Sequence, residues 1–245
     1  MLSAYAAQYR RLWTEHWRWQ ARRRYVLSLI ARLAAQAEIR AILDIGCGDG
    51  LFFDDLRRFG DVWGIEPDAR LVAPQNPWRS RIEVCAFGPE YTTERRFDLV
   101  MMLDVLEHIE NDAGALRAVW RLLKTGGHAI FTVPALPLLW SVHDEANAHY
   151  RRYRREGLRR LLHETGFQVL EIRYYFGWTL LPMLLRRLVF PAGRRGACEY
   201  RARIPPRVIN CLMRWMTLME QAVTFPLGLP LGTSLYAVVR RPVGD

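Results

Sequence analysis

Short apolar runs alternate along the chain with stretches whose apolar residues recur at helical spacing. The runs AILDI, DVWGIE, RIEVCAF, FDLVMML and HAIFTVP follow one another with the length and composition of buried strands. Ahead of the first run, Val26, Ile30, Leu33 and Ala37 share one face, which predicts a helix over 26–37. The glycines of KTGGH predict a stop before the fifth strand. Over 154–165, Leu158, Leu161 and Leu162 line one side of a helix that Gly166 ends, and FQVLEIRYYF and TSLYAVVRR then supply two further strands. Strands alternating with helices predict an α/β fold, a sheet covered by helices on both faces.

The last two strands are separated by residues 177–232, far longer than the usual connection. This segment holds eight arginines against two acids, Glu199 and Glu220, so it carries +6 of the chain's net +10. WTLLPMLLRRLVFP and RVINCLMRWMTLMEQAV are apolar on most sides, with arginine and tryptophan between, as in segments that lie at a membrane surface. A homodimer interface and a hydrophobic cap over a site have the same composition. The expected organisation is a helical extension over 1–40, a core of 41–176 plus 233–245, and a basic, hydrophobic insertion over 177–232.

At 245 residues and 51% apolar content the chain buries a real core. All but one of its basic residues are arginine, the exception being Lys124, and this excess favours anionic partners. The aromatic pattern carries no RNA-binding signature, so a nucleic-acid partner is not expected. Cys47, Cys85, Cys198 and Cys211 lack paired spacing and read as buried, reduced thiols. The first residues lack the apolar stretch of a secretory signal, and Gln221 to Val239, uncharged throughout, is broken by prolines and glycines. The expectation is a cytoplasmic protein with peripheral contact on the inner face of a membrane.

LDIGCGDG, residues 43–50, places Gly46, Gly48 and Gly50 directly after a strand, where free amides can face a ligand. Twenty-two residues beyond Asp44, Glu66 closes the second strand in VWGIEPD, where a carboxylate can accept two ribose hydroxyls. LDIGCGDG, GIEPD, FDLVMMLDVLEHIEND and LKTGGHAIFTVPA, in this order, resemble class I S-adenosylmethionine-dependent methyltransferases over residues 40–176 and again from 233. The resemblance implies a Rossmann-like seven-stranded sheet with an antiparallel last strand. It implies S-adenosyl-L-methionine as cofactor and S-adenosyl-L-homocysteine as product. Asp44, Gly46, Cys47 and Gly48 would line the methionine end, with Glu66 and Pro67 at the ribose. Ala86 and Phe87 would meet the adenine, where many relatives have an acid, and Met102, Leu103 and Asp104 would border the cofactor. EHWRWQARRR resembles the helix that precedes the core in many bacterial members, and the stretch from LWSVHDEANAHYRRY resembles relatives acting on lipids, quinone precursors or glycans. Trp17, Trp19 and Arg23 either close over the cofactor or belong to a simple core helix.

The expected reaction is methyl transfer to a small or lipid-linked acceptor, at oxygen in the first instance. His108 and His149 are the candidate bases, because imidazole takes a proton near neutrality. Tyr150, Arg151, Arg152 and Tyr153 are the candidate acceptor residues, guanidinium being suited to acidic groups. His143, Asp144, Glu145 and His149 cluster in sequence but read as a hydrogen-bonded lid, so no metal is expected. Two rivals stay open: a nicotinamide-binding oxidoreductase or epimerase, and a non-catalytic scaffold that keeps the fold and binds a membrane.

Overall fold

The computed structural model describes residues 3–189 and 204–243. Two helices, α1 (Ser3–Glu15) and α2 (Trp17–Ala34), precede β1 (Ala41–Ile45), α3 (Phe53–Leu56), β2 (Asp61–Ile65), β3 (Ile82–Glu83) and β4 (Phe97–Leu103). Then come α4 (Asp112–Leu122), β5 (Leu123–Pro134), α5 (Val142–Ala146), α6 (Arg155–Glu164) and β6 (Gln168–Tyr175). The insertion contributes α7 (Leu180–Val189) and α8 (Arg207–Leu227), and β7 (Ser234–Arg240) ends the sheet.

The seven strands lie in the order β3-β2-β1-β4-β5-β7-β6. β1 to β5 are parallel, whereas β7 runs antiparallel to both β5 and β6. Both faces are covered, so apolar residues occupy odd and even strand positions alike. Leu43, Val100, Phe131 and Ala237 pack under α4 and α6, while Ile42, Leu99, Ile130 and Tyr236 pack under α2. Strand order reverses between β1 and β4, and the crevice at their carboxyl ends is where such sheets bind ligands.

Several elements differ from the sequence expectation. The helix expected over 26–37 is the second half of α2, which starts where His16 accepts the Arg18 amide as its cap. RIEVCAF forms a strand for only two residues: β3 is the sheet edge, paired on one side, and the chain then turns so that Phe87 packs on Tyr91. β5 begins at Leu123, so the KTGG glycines lie inside it. Gly126, at φ 77°, absorbs an irregularity in the pairing with β4. Cys47 is buried and Cys85 half-buried, but Cys211 is exposed on α8, against the expected burial; Cys198 lies outside the described residues.

Candidate active site

The turn after β1 is built from left-handed backbone, with Gly46 at φ 77° and Gly48 at φ 61°. A side chain is excluded at both. A Cβ on Gly46 would stand 2.4 Å from Val105, and one on Gly48 would stand 2.5 Å from the Tyr9 hydroxyl. The amides of this turn are not free, which corrects the sequence reading. Gly46 and Cys47 donate to the Ile65 carbonyl at 2.7 and 3.2 Å, and Gly48 donates to Glu66 Oε2 at 2.8 Å. The turn therefore brings bare main chain close under Val105 and Tyr9 rather than forming a nest of free donors.

Glu66 is buried at the end of β2, one oxygen on the Gly48 amide and the other accepting from Asp68 N–H at 2.9 Å. Burial raises its pKa above the usual value, the two amides opposing. Asp44 is raised to about 7, first by burial, with the nearby Arg22 lowering it and Glu66 raising it. Cys47 turns its sulfur toward Gly64 and the core, so only its main chain borders the crevice. Pro67 and Ala86 are exposed at the mouth, Phe87 is buried against Tyr91, and Met102 is buried under α4. Leu103 packs against the α2 side. α1 lies over the turn, with Tyr9 against Gly48 and Arg10 paired to Asp49 at 2.6 Å.

Asp104, at φ 57°, follows β4 and is held from two sides. Thr132 donates to one oxygen at 2.9 Å and Arg22 of α2 pairs with the other. Although burial works to raise it, Arg22 and then Arg18 hold its carboxyl below the ordinary value. The helix residues expected to close over the crevice divide differently. Trp17 packs on Phe176 and Trp178, Trp19 lies under Arg22, and Arg23 pairs with Asp55 at 2.5 Å.

Across the crevice, α5 ends in a tight return. Ser141 and Asp144 form a reciprocal cap, Ala148 adopts φ 55°, and the His149 amide returns to the Asp144 carbonyl at 2.9 Å. His149 Nδ1 lies 3.0 Å from Asp144 Oδ1. Arg152 grips both Asp144 oxygens at 2.7 and 3.0 Å. Asp144 is fully buried; burial would raise its pKa, but the bonds from His149 and Arg152 hold it well below the usual range. The Tyr150 amide donates to the Glu107 carbonyl at 2.8 Å, which ties the return to the turn after β4. His149 thus stands edge-on to His108, ring centres 4.6 Å apart. His108 has an edge open to solvent, yet desolvation and then the adjacent His149 lower its pKa to about 4.

Of the expected acceptor residues, only Tyr150 opens outward, 52% exposed. Arg152 is consumed by Asp144. Arg151 pairs with Asp112 at 2.8 Å, and the buried Tyr153 gives its hydroxyl to the same carboxylate at 3.0 Å. These three build the lid and present no free group to the crevice, which corrects their expected place at the acceptor.

Glu107, which the sequence reading passed over, is buried with one carboxylate oxygen lacking a partner; burial and then Asp104 push its pKa well up. Glu107, His108 and His149 each bring a ligating atom within 4.8 Å of the others. One carboxylate and two imidazoles are a donor set that can hold a divalent cation. This is not the His143–Glu145 grouping seen in sequence, because Asp144 is already spent on Arg152.

A methyltransferase-domain family model matches residues 16–172, well over half of the chain. The chain belongs to the class I methyltransferase family. A ubiquinone biosynthesis O-methyltransferase of Alkalilimnicola ehrlichii is 35% identical over 114 residues, 43% of this methyltransferase and 46% of that protein. The mitochondrial ubiquinone biosynthesis O-methyltransferase of Arabidopsis thaliana is 34% identical over 99 residues, 37% of this chain and 31% of its own. The chain spans less than half the length of these relatives. In fold, this methyltransferase is similar to the N-methyltransferase NodS of Bradyrhizobium japonicum solved with S-adenosyl-l-homocysteine. The TM-score is 0.56 at 16% identity, covering 98% of this chain and 100% of that one. Family membership and the antiparallel β7 remove the oxidoreductase reading.

The family's methyl donor is S-adenosylmethionine, and the crevice fits it. Glu66, with each oxygen accepting a single amide, keeps lone pairs for two hydroxyls, and glycine at 46 and 48 lets Val105 and Tyr9 approach the main chain beside it.

Proposed function

We propose that this methyltransferase acts on an oxygen of a small acceptor with an apolar, lipid-linked portion, using His149 as the base. The carrying observation is the Asp144–His149 pair beside His108 at the carboxyl end of β4. Gly46, Gly48 and Asp44 would hold the methionine part of the cofactor, Glu66 the ribose, and Phe87 the adenine side. The bound cofactor supplies a methyl already made electrophilic by its sulfonium.

The protein's own work is positioning and proton handling. Asp144, kept ionised by Arg152, accepts from His149 Nδ1, and this fixes the tautomer that leaves Nε2 as the acceptor. His108, neutral near pH 7, stands against that ring without competing as a cation. Burial, and then the neighbouring Asp104, push the Glu107 carboxyl toward its neutral form. An acceptor hydroxyl placed at His149 can lose its proton as the oxygen takes the methyl. That both relatives described above bear names of O-methyltransferases supports oxygen as the acceptor atom.

The insertion supports a lipid-linked acceptor. Leu138 and Val142, on the segment leading to His143, and Leu181 and Leu185 of the adjacent α7 are all exposed. On α8, Val208, Leu212, Trp215 and Met219 form an exposed stripe at helical spacing, flanked by exposed Arg207 and Arg214. In this reading the rim rests on an anionic membrane surface, apolar atoms in the acyl boundary and guanidinium groups on head groups. No helix among the described residues is long and apolar enough to cross a membrane. A homodimer through the α8 stripe is the competing use of the same surface.

The test is transfer from labelled S-adenosylmethionine into cell-extract lipids and small molecules, with product identification by mass spectrometry. His149→Ala is expected to lower turnover about 10²–10⁴-fold with unchanged S-adenosylhomocysteine affinity. Wild-type-like turnover in this variant removes the base role. A second outcome follows from the Glu107–His108–His149 set. Activity lost to EDTA and restored by a divalent ion reassigns these residues to metal binding, whereas chelator-insensitive turnover keeps the base reading.

A further inference from the structure

Five arginines around the crevice end on carboxylates: Arg10 on Asp49, Arg22 on Asp104, Arg23 on Asp55, Arg151 on Asp112 and Arg152 on Asp144. Arg18 does not. It lies one turn before Arg22 on the same face of α2, half-buried, with no carboxylate in ion-pair range among the described residues. Its Nη2 donates to Ser234 Oγ at 2.9 Å and its guanidinium lies 4.7 Å above the Phe176 ring. Ser234 opens β7 and is in register with Pro134 of β5 and Tyr175 of β6, which sets the guanidinium at the carboxyl ends of the central strands. Thr132, two residues before Pro134, is the residue that bonds Asp104.

A second group at this point is loosely held. The Tyr175 hydroxyl is buried beside Thr132 without a hydrogen bond of good geometry. The electrostatics place Arg18 at the junction of the two halves of the site. After desolvation, which dominates each case, its charge is felt by Asp104, by Tyr175 and by His143. Asp104 is already neutralised by Arg22, and His108 and His143 are each lowered to about 4, so they are uncharged near pH 7. Arg18 is the guanidinium here with no carboxylate in ion-pair range among the described residues. A guanidinium partly withdrawn from water beside a donor hydroxyl is the chemistry that recognises a carboxylate or a phosphoryl group.

We infer that Arg18, with the Tyr175 hydroxyl, is a specificity site that reads an acidic group on the methyl acceptor. This deepens the proposed function and rests on it: the acceptor is a small anion, or carries an anionic head on its lipid. Arg18 orients that acceptor and takes no part in the proton transfer.

The test is calorimetric titration of the full chain with benzoate, phenyl phosphate and benzamide, with and without saturating S-adenosylhomocysteine. The expected result is at least tenfold tighter binding of one anion than of benzamide, the better anion distinguishing a carboxylate from a phosphoryl acceptor. Arg18→Gln abolishes that ratio, Arg18→Lys keeps part of it, and both retain wild-type S-adenosylhomocysteine affinity. Equal binding of the three probes by the wild type, or an unchanged ratio in Arg18→Gln, overturns the inference. Should Arg18→Gln fail to fold, the wild-type ratio must still collapse as salt rises from 0.05 to 0.5 M, and a salt-independent ratio overturns it equally. Failure to bind S-adenosylhomocysteine would sink the methyl-transfer reading instead, and the anion ratio measured without it judges Arg18 separately.

Discussion

Asp44 is the residue at which stability and function pull apart. Its carboxyl is buried under α2, and its pKa of about 7 lies well above the usual value near 4. The unfolded chain therefore gives up this proton first as the pH rises, so the contribution of Asp44 falls between about pH 4 and 7 and levels off above. The loss is on the order of 2–4 kcal/mol. Without cofactor, Asp44→Asn is expected to unfold at a higher temperature than wild type at pH 8, the gap closing by about pH 4. The same variant loses affinity for S-adenosylhomocysteine. Thermal melts at the two pH values decide the first part; a gap independent of pH contradicts it. Asp144 has the opposite sign. Its depressed carboxyl contributes stability above the ordinary carboxylate range that disappears only in strong acid. Asp144→Asn, which keeps the shape and withdraws the charge, should lower turnover while moving the acid limb of its pH profile to lower pH, because the carboxylate that favours the protonated imidazole is gone; a uniform loss at every pH would mark a purely structural role.

At the scale of elements, the glycine turn and α8 show what sequence makes legible and what it leaves out. Gly46 and Gly48 were readable because only glycine tolerates their backbone angles, and Glu66 because a buried acid at a strand end has few structural uses. The loop's hydrogen-bond accounting was not readable: that Ile65 takes two of its amides depends on pairing between β1 and β2, a tertiary fact. Arg151, Arg152 and Tyr153 misled for a like reason. A run of arginines shows its charge in sequence, but the carboxylates that absorb it, Asp112 and Asp144, become visible only once the chain has turned. Gly48→Ala sets a Cβ against Tyr9 and forces a strained φ, so S-adenosylhomocysteine affinity should fall more than tenfold. Adding Tyr9→Ala relieves the clash but not the strain, and recovery of full affinity by the double variant would disprove this account. On α8, Asn210, Thr217 and Gln221 bond toward α2 and Trp178, leaving the Val208–Met219 stripe outward. Leu212→Glu with Trp215→Glu should leave the melting temperature within 2 °C or so, the change being at the surface. The same pair should abolish pelleting with vesicles containing anionic phospholipid. Unchanged pelleting, or a dimer in the wild type that this variant dissociates, transfers the surface to self-association.

For the molecule as a whole, a rigid sheet presents its carboxyl ends to a crevice that two less regular units cover: α1 over the glycine turn and the α5 return over His108. The sheet carries both cores, whereas α1 meets it through Tyr9, Trp13 against Phe52, and the Arg10–Asp49 pair. Arg10 is two-thirds exposed, so that pair adds little by itself. A cofactor bound beneath Tyr9 would add contacts to α1, and cofactor binding and α1 docking would then favour each other. At a hundredfold excess over Kd, S-adenosylhomocysteine should stabilise the fold by about 2.7 kcal/mol, a rise in melting temperature of roughly 5–10 °C. Tyr9→Ala with Arg10→Ala is expected to melt below wild type without ligand, since Tyr9 is buried, and to gain less than half of that rise on adding ligand. Hydrogen exchange gives the reciprocal reading, with slower exchange across α1 when ligand is added to the wild type. If ligand slows exchange in β1 and β4 but leaves α1 unchanged, α1 is only an ornament on the sheet and the crevice is closed by other means.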